Sequence, residues 1–156
     1  MSNQQIDAVI AQAQGNIGYQ EGAKNDNKFA ATAKHPNHQP WCATFIVACF
    51  SKAGALASIK NSASCIEIAK WAKTKKTLVE TKNAKRGDLI LMNFTGSAIP
   101  EHIGIVVSDY DALHKAIVTI EGNTSDSGSQ ANGDGVYRKI RGEKFIVGVV
   151  RPLWSN

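Results

Sequence analysis

The hydrophobic period of this chain changes once, near Gly87, and that change limits the possible folds more than any other feature. Upstream, apolar residues recur every three to four positions. Ile6, Val9, Ile10, Ala13 and Ile17 predict a helix over residues 4–15, with Ser2 or Asn3 as its cap and Gly15 and Gly18 as stops. The segment WCATFIVACFSKAG places Cys42, Phe45, Ile46, Cys49, Phe50 and Ala53 on one face. It predicts a buried helix that begins at Cys42 and is closed by Gly54. A third helix is expected over about residues 63–73, with Cys65, Ile68, Ala69 and Ala72 inward and Ser62 as N-cap. Beyond the Gly87-Asp88 turn the pattern becomes strand-like, over 88–94, 102–108, 116–122, 135–141 and 145–152. Helices followed by an antiparallel meander of about five strands define an α+β fold. A length of 156 residues is one domain, without linker or repeat.

Charge and cysteine usage narrow the classes. No apolar run approaches the roughly 18 residues of a membrane span, so no transmembrane segment is expected. The net charge of +5 favours anionic partners, and it is concentrated. Lys70, Lys73, Lys75, Lys76, Lys82, Lys85 and Arg86 face a single acid, Glu80, within segment 70–86. Only Trp71 interleaves with these cations, which does not make a stacking platform for single strands, and no nucleic-acid partner is expected. Three cysteines, Cys42, Cys49 and Cys65, fit a reduced compartment or one reactive thiol rather than a disulfide framework. The N-terminal segment MSNQQIDAVIAQAQG lacks a basic n-region and an apolar h-region, so synthesis in the cytoplasm without a signal peptide is expected.

Chemistry centres on Cys42. A cysteine in the first turn of a buried helix sits among unpaired N–H groups at the positive end of the helix dipole, which favours the nucleophilic thiolate. The same N–H groups can serve a developing oxyanion. His102 opens a strand whose alternation places His102, Gly104 and Val106 on one face, and its polar neighbours suggest a half-exposed side chain. Glu121 and Asn123 are two residues apart at the end of the next strand, and so project to the same side. Singly, each has a plain structural reading: a buried thiol, a strand-start histidine, residues capping a loop. Together they supply a nucleophile, a base and a polar orienter. His35, His38 and Cys42 could suggest zinc, but they lie in a proline-rich loop without a second cysteine pair. Asp26, Asp126 and Asp134 could suggest Ca²⁺, but no segment has the dense oxygen pattern of an EF-hand loop. No metal or cofactor is therefore expected. His114, Cys49 and Cys65 are read as structural.

At these residues a resemblance emerges. The segment Pro40-Trp41-Cys42-Ala43-Thr44-Phe45-Ile46 resembles the cysteine motif of CHAP domains, the cysteine- and histidine-dependent amidohydrolase/peptidase group within the NlpC/P60-like, papain-related superfamily. Similar segments follow the family order: residues 18–22 with 25–29, 86–90, 101–106, 119–124 and 135–138. The resemblance implies a papain-like fold and hydrolysis of an amide bond in bacterial peptidoglycan. It implies Cys42 as nucleophile, His102 as general base, and Glu121 or Asn123 as orienter, with Glu121 favoured because a carboxylate also stabilises the imidazolium. Trp41, Tyr19, Asn27 and Phe29 are expected to line the substrate groove. The expectation is a monomeric endolysin-like enzyme, released to the wall by a holin or another route and adsorbed to anionic wall polymers through segment 70–86. The alternatives are a secreted antibacterial effector or autolysin of the same chemistry, or a non-catalytic cell-wall-binding module on the same fold.

Overall fold

The computed structural model describes residues 3–155, so the proposed cap Ser2 lies outside the described residues. Among them are α1 (Asn3–Gly15), α2 (Phe29–Ala33), α3 (Cys42–Lys52) and α4 (Cys65–Lys75). The strands are β1 (Leu78–Val79), β2 (Leu89–Met92), β3 (His102–Val106), β4 (Ala116–Thr124), β5 (Gly135–Gly142) and β6 (Ile146–Val150). They form one antiparallel sheet in the order β1-β6-β2-β3-β4-β5. The α+β class is as expected, but the sheet is not a simple meander. The last strand returns to pair with β2, Leu89 opposite Val150 and Ile90 opposite Val149, rather than with its sequence neighbour β5. β2 is thus an interior strand, which is why all four of its residues are buried. The sixth strand, β1, extends β6 within the basic segment, where the lysines masked its short apolar pair.

α3 is the centre of the molecule. Every residue from Cys42 to Phe50 is buried between the other helices and one sheet face, where it meets Leu89, Leu91, Ile103, Ile105 and Ile120. Its end is a Schellman motif: Gly54 at φ 70° lets Ala55 N–H bond to Phe50 C=O and Gly54 N–H to Ser51 C=O. The other sheet face carries a second core of Ile90, Met92, Val106, Ile117 and Val149. α4 begins two residues later than expected because Ser64, not Ser62, caps it, its Oγ accepting from Glu67 N–H at 3.2 Å.

The polar stretch before α3 is more ordered than its composition suggests. Asn27 Oδ1 accepts from Ala30 N–H at the start of α2, and Asn37 Oδ1 accepts from Asn27 N–H. Of the cations in segment 70–86, Lys70, Lys82, Lys85 and Arg86 pair with Glu67, Glu80, Asp109 and Asp7. Lys73, Lys75 and Lys76 are exposed and make no ion pair among the described residues. No described helix is long and apolar enough to cross a membrane.

Candidate active site

The candidate residues come from one helix and two neighbouring strands. Cys42 is the first residue of α3, and Trp41 before it offers no side-chain acceptor to the first turn. His102 is the first residue of β3. Glu121 lies in β4, which pairs with β3 through Ile105 opposite Ile120. His102 Nε2 is 2.8 Å from Glu121 Oε1, and the two side chains are fully buried. The other ring nitrogen, Nδ1, has no hydrogen-bond partner among the described residues, and His102 and Cys42 each influence the other's titration. His102 is therefore not half-exposed as expected. Phe94 packs against its ring at 5.9 Å, and Arg141 lies over Phe94. The loop bearing Phe94 is itself pinned by Asn93, which bonds Thr95, Ser97 and Ile99.

The far side of Glu121 is held by a residue the sequence did not single out. Arg141 on β5 donates from Nε to Oε2 at 2.8 Å and from Nη2 to Oε1 at 2.6 Å, a two-point clamp. Thr119 Oγ1 donates to Oε2 as well. Glu121 and Asn123 do not project together. A bulge between Glu121 and Thr124 inserts one residue into β4, and Asn123 takes φ 55°. Its amide is buried without a hydrogen-bond partner among the described residues, so Glu121 alone of the two bonds His102.

A second cysteine adjoins Cys42. Cys65, the first residue of α4 and expected to be merely structural, has its sulfur 3.8 Å from that of Cys42. Cys49, further along α3, is isolated by burial that pushes its thiol up to about 12. The hydrogen bond from Cys65 is the largest influence on Cys42 and holds its pKa well below the usual thiol range; burial opposes this and His102 reinforces it. Cys65 moves the opposite way, kept protonated by its bond to Cys42. Burial disfavours a charged His102, yet the Glu121 carboxylate and Cys42 outweigh it and raise its pKa to about 9. Burial likewise disfavours a charged Glu121, but Arg141 and His102 hold it at about 2. The resting site is thus a thiolate, an imidazolium, a carboxylate and a guanidinium in succession.

The expected groove residues sit inside the wall. Trp41, Phe29 and Asn27 are buried; Trp41 stacks on Phe29 at 5.4 Å and donates from Nε1 to Glu21 Oε1 at 2.8 Å. Tyr19, edge-on to both rings, keeps partial exposure, and its hydroxyl accepts from Lys28 N–H. The expectation that all four line a groove gives way to an aromatic cluster of Trp41, Phe29 and Tyr19 beside Cys42, whose rings gain from mutual burial, with Asn27 buried as a hydrogen-bonding residue at the start of α2. His35 uses both ring nitrogens on Thr44 and Asn61, and His38 bonds Lys24 C=O. Asp26 accepts from Asn37, and Asp134 from Tyr137.

A cysteine at a helix start, a histidine on a strand and a carboxylate on the next strand, on an α+β scaffold, define a papain-like thiol-hydrolase arrangement. The CHAP domain family matches residues 34–123, a span that includes Cys42, His102 and Glu121, and the chain belongs to that family. CHAP domains are generally cysteine- and histidine-dependent amidohydrolases with a peptidoglycan-related role. No curated protein matches the chain. Arg141 lies beyond the matched span.

Proposed function

We propose that this protein hydrolyses an amide bond in bacterial peptidoglycan through an acyl-enzyme formed on Cys42. The observation that carries this reading is the continuous line of bonded groups behind His102. Glu121 is bonded to Nε2 and anchored by Arg141, which leaves Nδ1 as the nitrogen for Cys42. In the proposed cycle the Cys42 thiolate attacks the carbonyl carbon, and first-turn N–H groups of α3 stabilise the oxyanion. His102 then gives its Nδ1 proton to the leaving amine. It next takes a proton from water, whose attack releases the acid and restores the thiolate.

The same reading makes the protein an endolysin-like lytic enzyme, made in the cytoplasm and acting at the wall after release. Lys73, Lys75 and Lys76, exposed and without ion pairs among the described residues, support adsorption to anionic wall polymers, with no metal required.

The test is mass spectrometry of purified peptidoglycan digested under reducing conditions by wild type and by Cys42→Ala. New fragments from wild type alone are expected, and their new termini identify the amide cut, whether muramoyl-alanine, stem-peptide or cross-bridge. Equal cleavage by a folded Cys42→Ala variant would overturn the mechanism.

A further inference from the structure

We propose that Cys65 is a resolving thiol, and that a hydroperoxide closes a reversible Cys42–Cys65 disulfide that switches the site off. The two sulfurs are 3.8 Å apart, and each belongs to the first residue of its own helix. A disulfide needs about 2.05 Å between sulfurs, so closing it calls for a movement of under about 2 Å from two neighbouring side chains. Both groups keep a little exposure, 5% for Cys42 and 7% for Cys65, whereas His102 has none. In the proposed switch a small oxidant approaches the sulfur pair through this residual opening. First-turn N–H groups accommodate negative charge on either sulfur as electrons move between them.

The steps balance. The Cys42 thiolate attacks one peroxide oxygen, the O–O bond breaks, and Cys42 sulfenic acid forms with release of hydroxide. Oxidation removes the negative charge that had kept the neighbouring Cys65 protonated. Cys65 then gives its proton to the hydroxide, and its sulfur attacks the Cys42 sulfur. The S–O bond breaks and hydroxide leaves. In total one thiolate, one thiol and one hydrogen peroxide become one disulfide, one water and one hydroxide. A small dithiol reverses the change by exchange. Cys49 has no such partner and serves as an internal reference.

The inference rests on the proposed function only for its effect on turnover; the chemistry is read by mass. The full chain is treated with hydrogen peroxide, its remaining thiols are alkylated, and intact and peptide masses are recorded. Wild type should lose about 2 Da, keep only Cys49 open to alkylation under denaturing conditions, and yield a cross-linked peptide joining Cys42 to Cys65. Dithiothreitol should restore all three thiols. In Cys65→Ser, Cys42 should pass to sulfinic or sulfonic acid, with on the order of tenfold less thiol recovered by dithiothreitol. Wild type that forms no Cys42–Cys65 cross-link, whether its Cys42 passes to sulfinic or sulfonic acid or stays a thiol, would overturn the proposal. The wild-type peptide map decides this even if the variant folds poorly. A protein that forms the cross-link but never cuts peptidoglycan would overturn the proposed function and leave this inference standing.

Discussion

Glu121 lies directly over Gly104: a β-carbon on that glycine would stand 2.6 Å from Glu121 Cγ. Position 104 of β3 is thus the floor that lets the carboxylate reach the imidazole two residues away. Gly104→Ala should push Glu121 off His102. Overpacking of this kind costs about 1–3 kcal/mol, and a misplacement near 1 Å can cost about 10²-fold in rate. Steady-state cleavage of soluble peptidoglycan fragments should show kcat reduced by about ten- to a hundredfold, with melting lowered by several degrees. An unchanged kcat would remove Glu121 from the orienting role.

Arg141 separates charge from geometry. Arg141→Lys keeps the cation but loses the two-point fork. It should lower kcat by roughly tenfold and move the acid limb of the pH profile upward, because Glu121 would be protonated more readily. Arg141→Ala also leaves a buried carboxylate short of a partner, at about 3–5 kcal/mol. Calorimetry should record that loss. A lower melting temperature with an unmoved acid limb in Arg141→Lys would mean that Arg141 serves packing alone.

The pH dependence follows from the signs of the shifts. The thiolate–imidazolium pair is lost on the alkaline side as pH rises through about 9, where His102 releases the proton that the proposed cycle gives to the leaving amine. Activity measured from pH 4 to 11 should therefore have its alkaline limb near 9. The same groups act on stability. His102, raised from 6.5, contributes fully below 6.5, and its contribution is lost as pH rises through about 9. Glu121, lowered from 4.5, contributes fully above 4.5, and its contribution is lost as pH falls toward about 2. Cys42, lowered from 9.0, contributes more as pH rises toward 9.0 and so offsets the His102 loss between 6.5 and 9. Denaturant melts should therefore show little change over that interval and a loss below 4.5, where Glu121 takes up its proton. Equal stability of wild type and Glu121→Gln at every pH from 2 to 6 would contradict the buried carboxylate.

How far the site was legible depended on whether each residue acts through local or long-range structure. Cys42 was readable because the pattern of α3 places it at a helix start. His102 and Glu121 were readable as polar residues at strand ends and through the family motifs. Arg141 was not, because hydrophobicity points the wrong way on β5: Ile140 is 69% exposed and Arg141 6%. Its role depends on the register that sets Ile117 opposite Arg141 and Glu121 opposite Tyr137, so that a long side chain spans the interval. A hairpin with a long polar loop and a bulge leaves that register undetermined by sequence. The bulge also explains Asn123, since simple alternation has no means of foreseeing an inserted residue. Cys65 was recognised as buried, but its contact with Cys42 joins helices 23 residues apart in sequence and needs tertiary structure. The return of β6 to β2 is a long-range pairing of the same kind.

The alternating charges at the site have a consequence for how the protein meets its surroundings. Thiolate, imidazolium, carboxylate and guanidinium sum to zero within the buried interior, so the reacting groups cast little field beyond the domain. Lys73, Lys75 and Lys76, exposed and without ion pairs among the described residues, have no such internal balance. Added electrolyte shortens the screening length from about 10 Å at 0.1 M to about 3 Å at 1 M. Ionic strength should therefore divide the protein's work in two: retention on intact walls fades as salt rises, while turnover of small soluble fragments stays nearly constant.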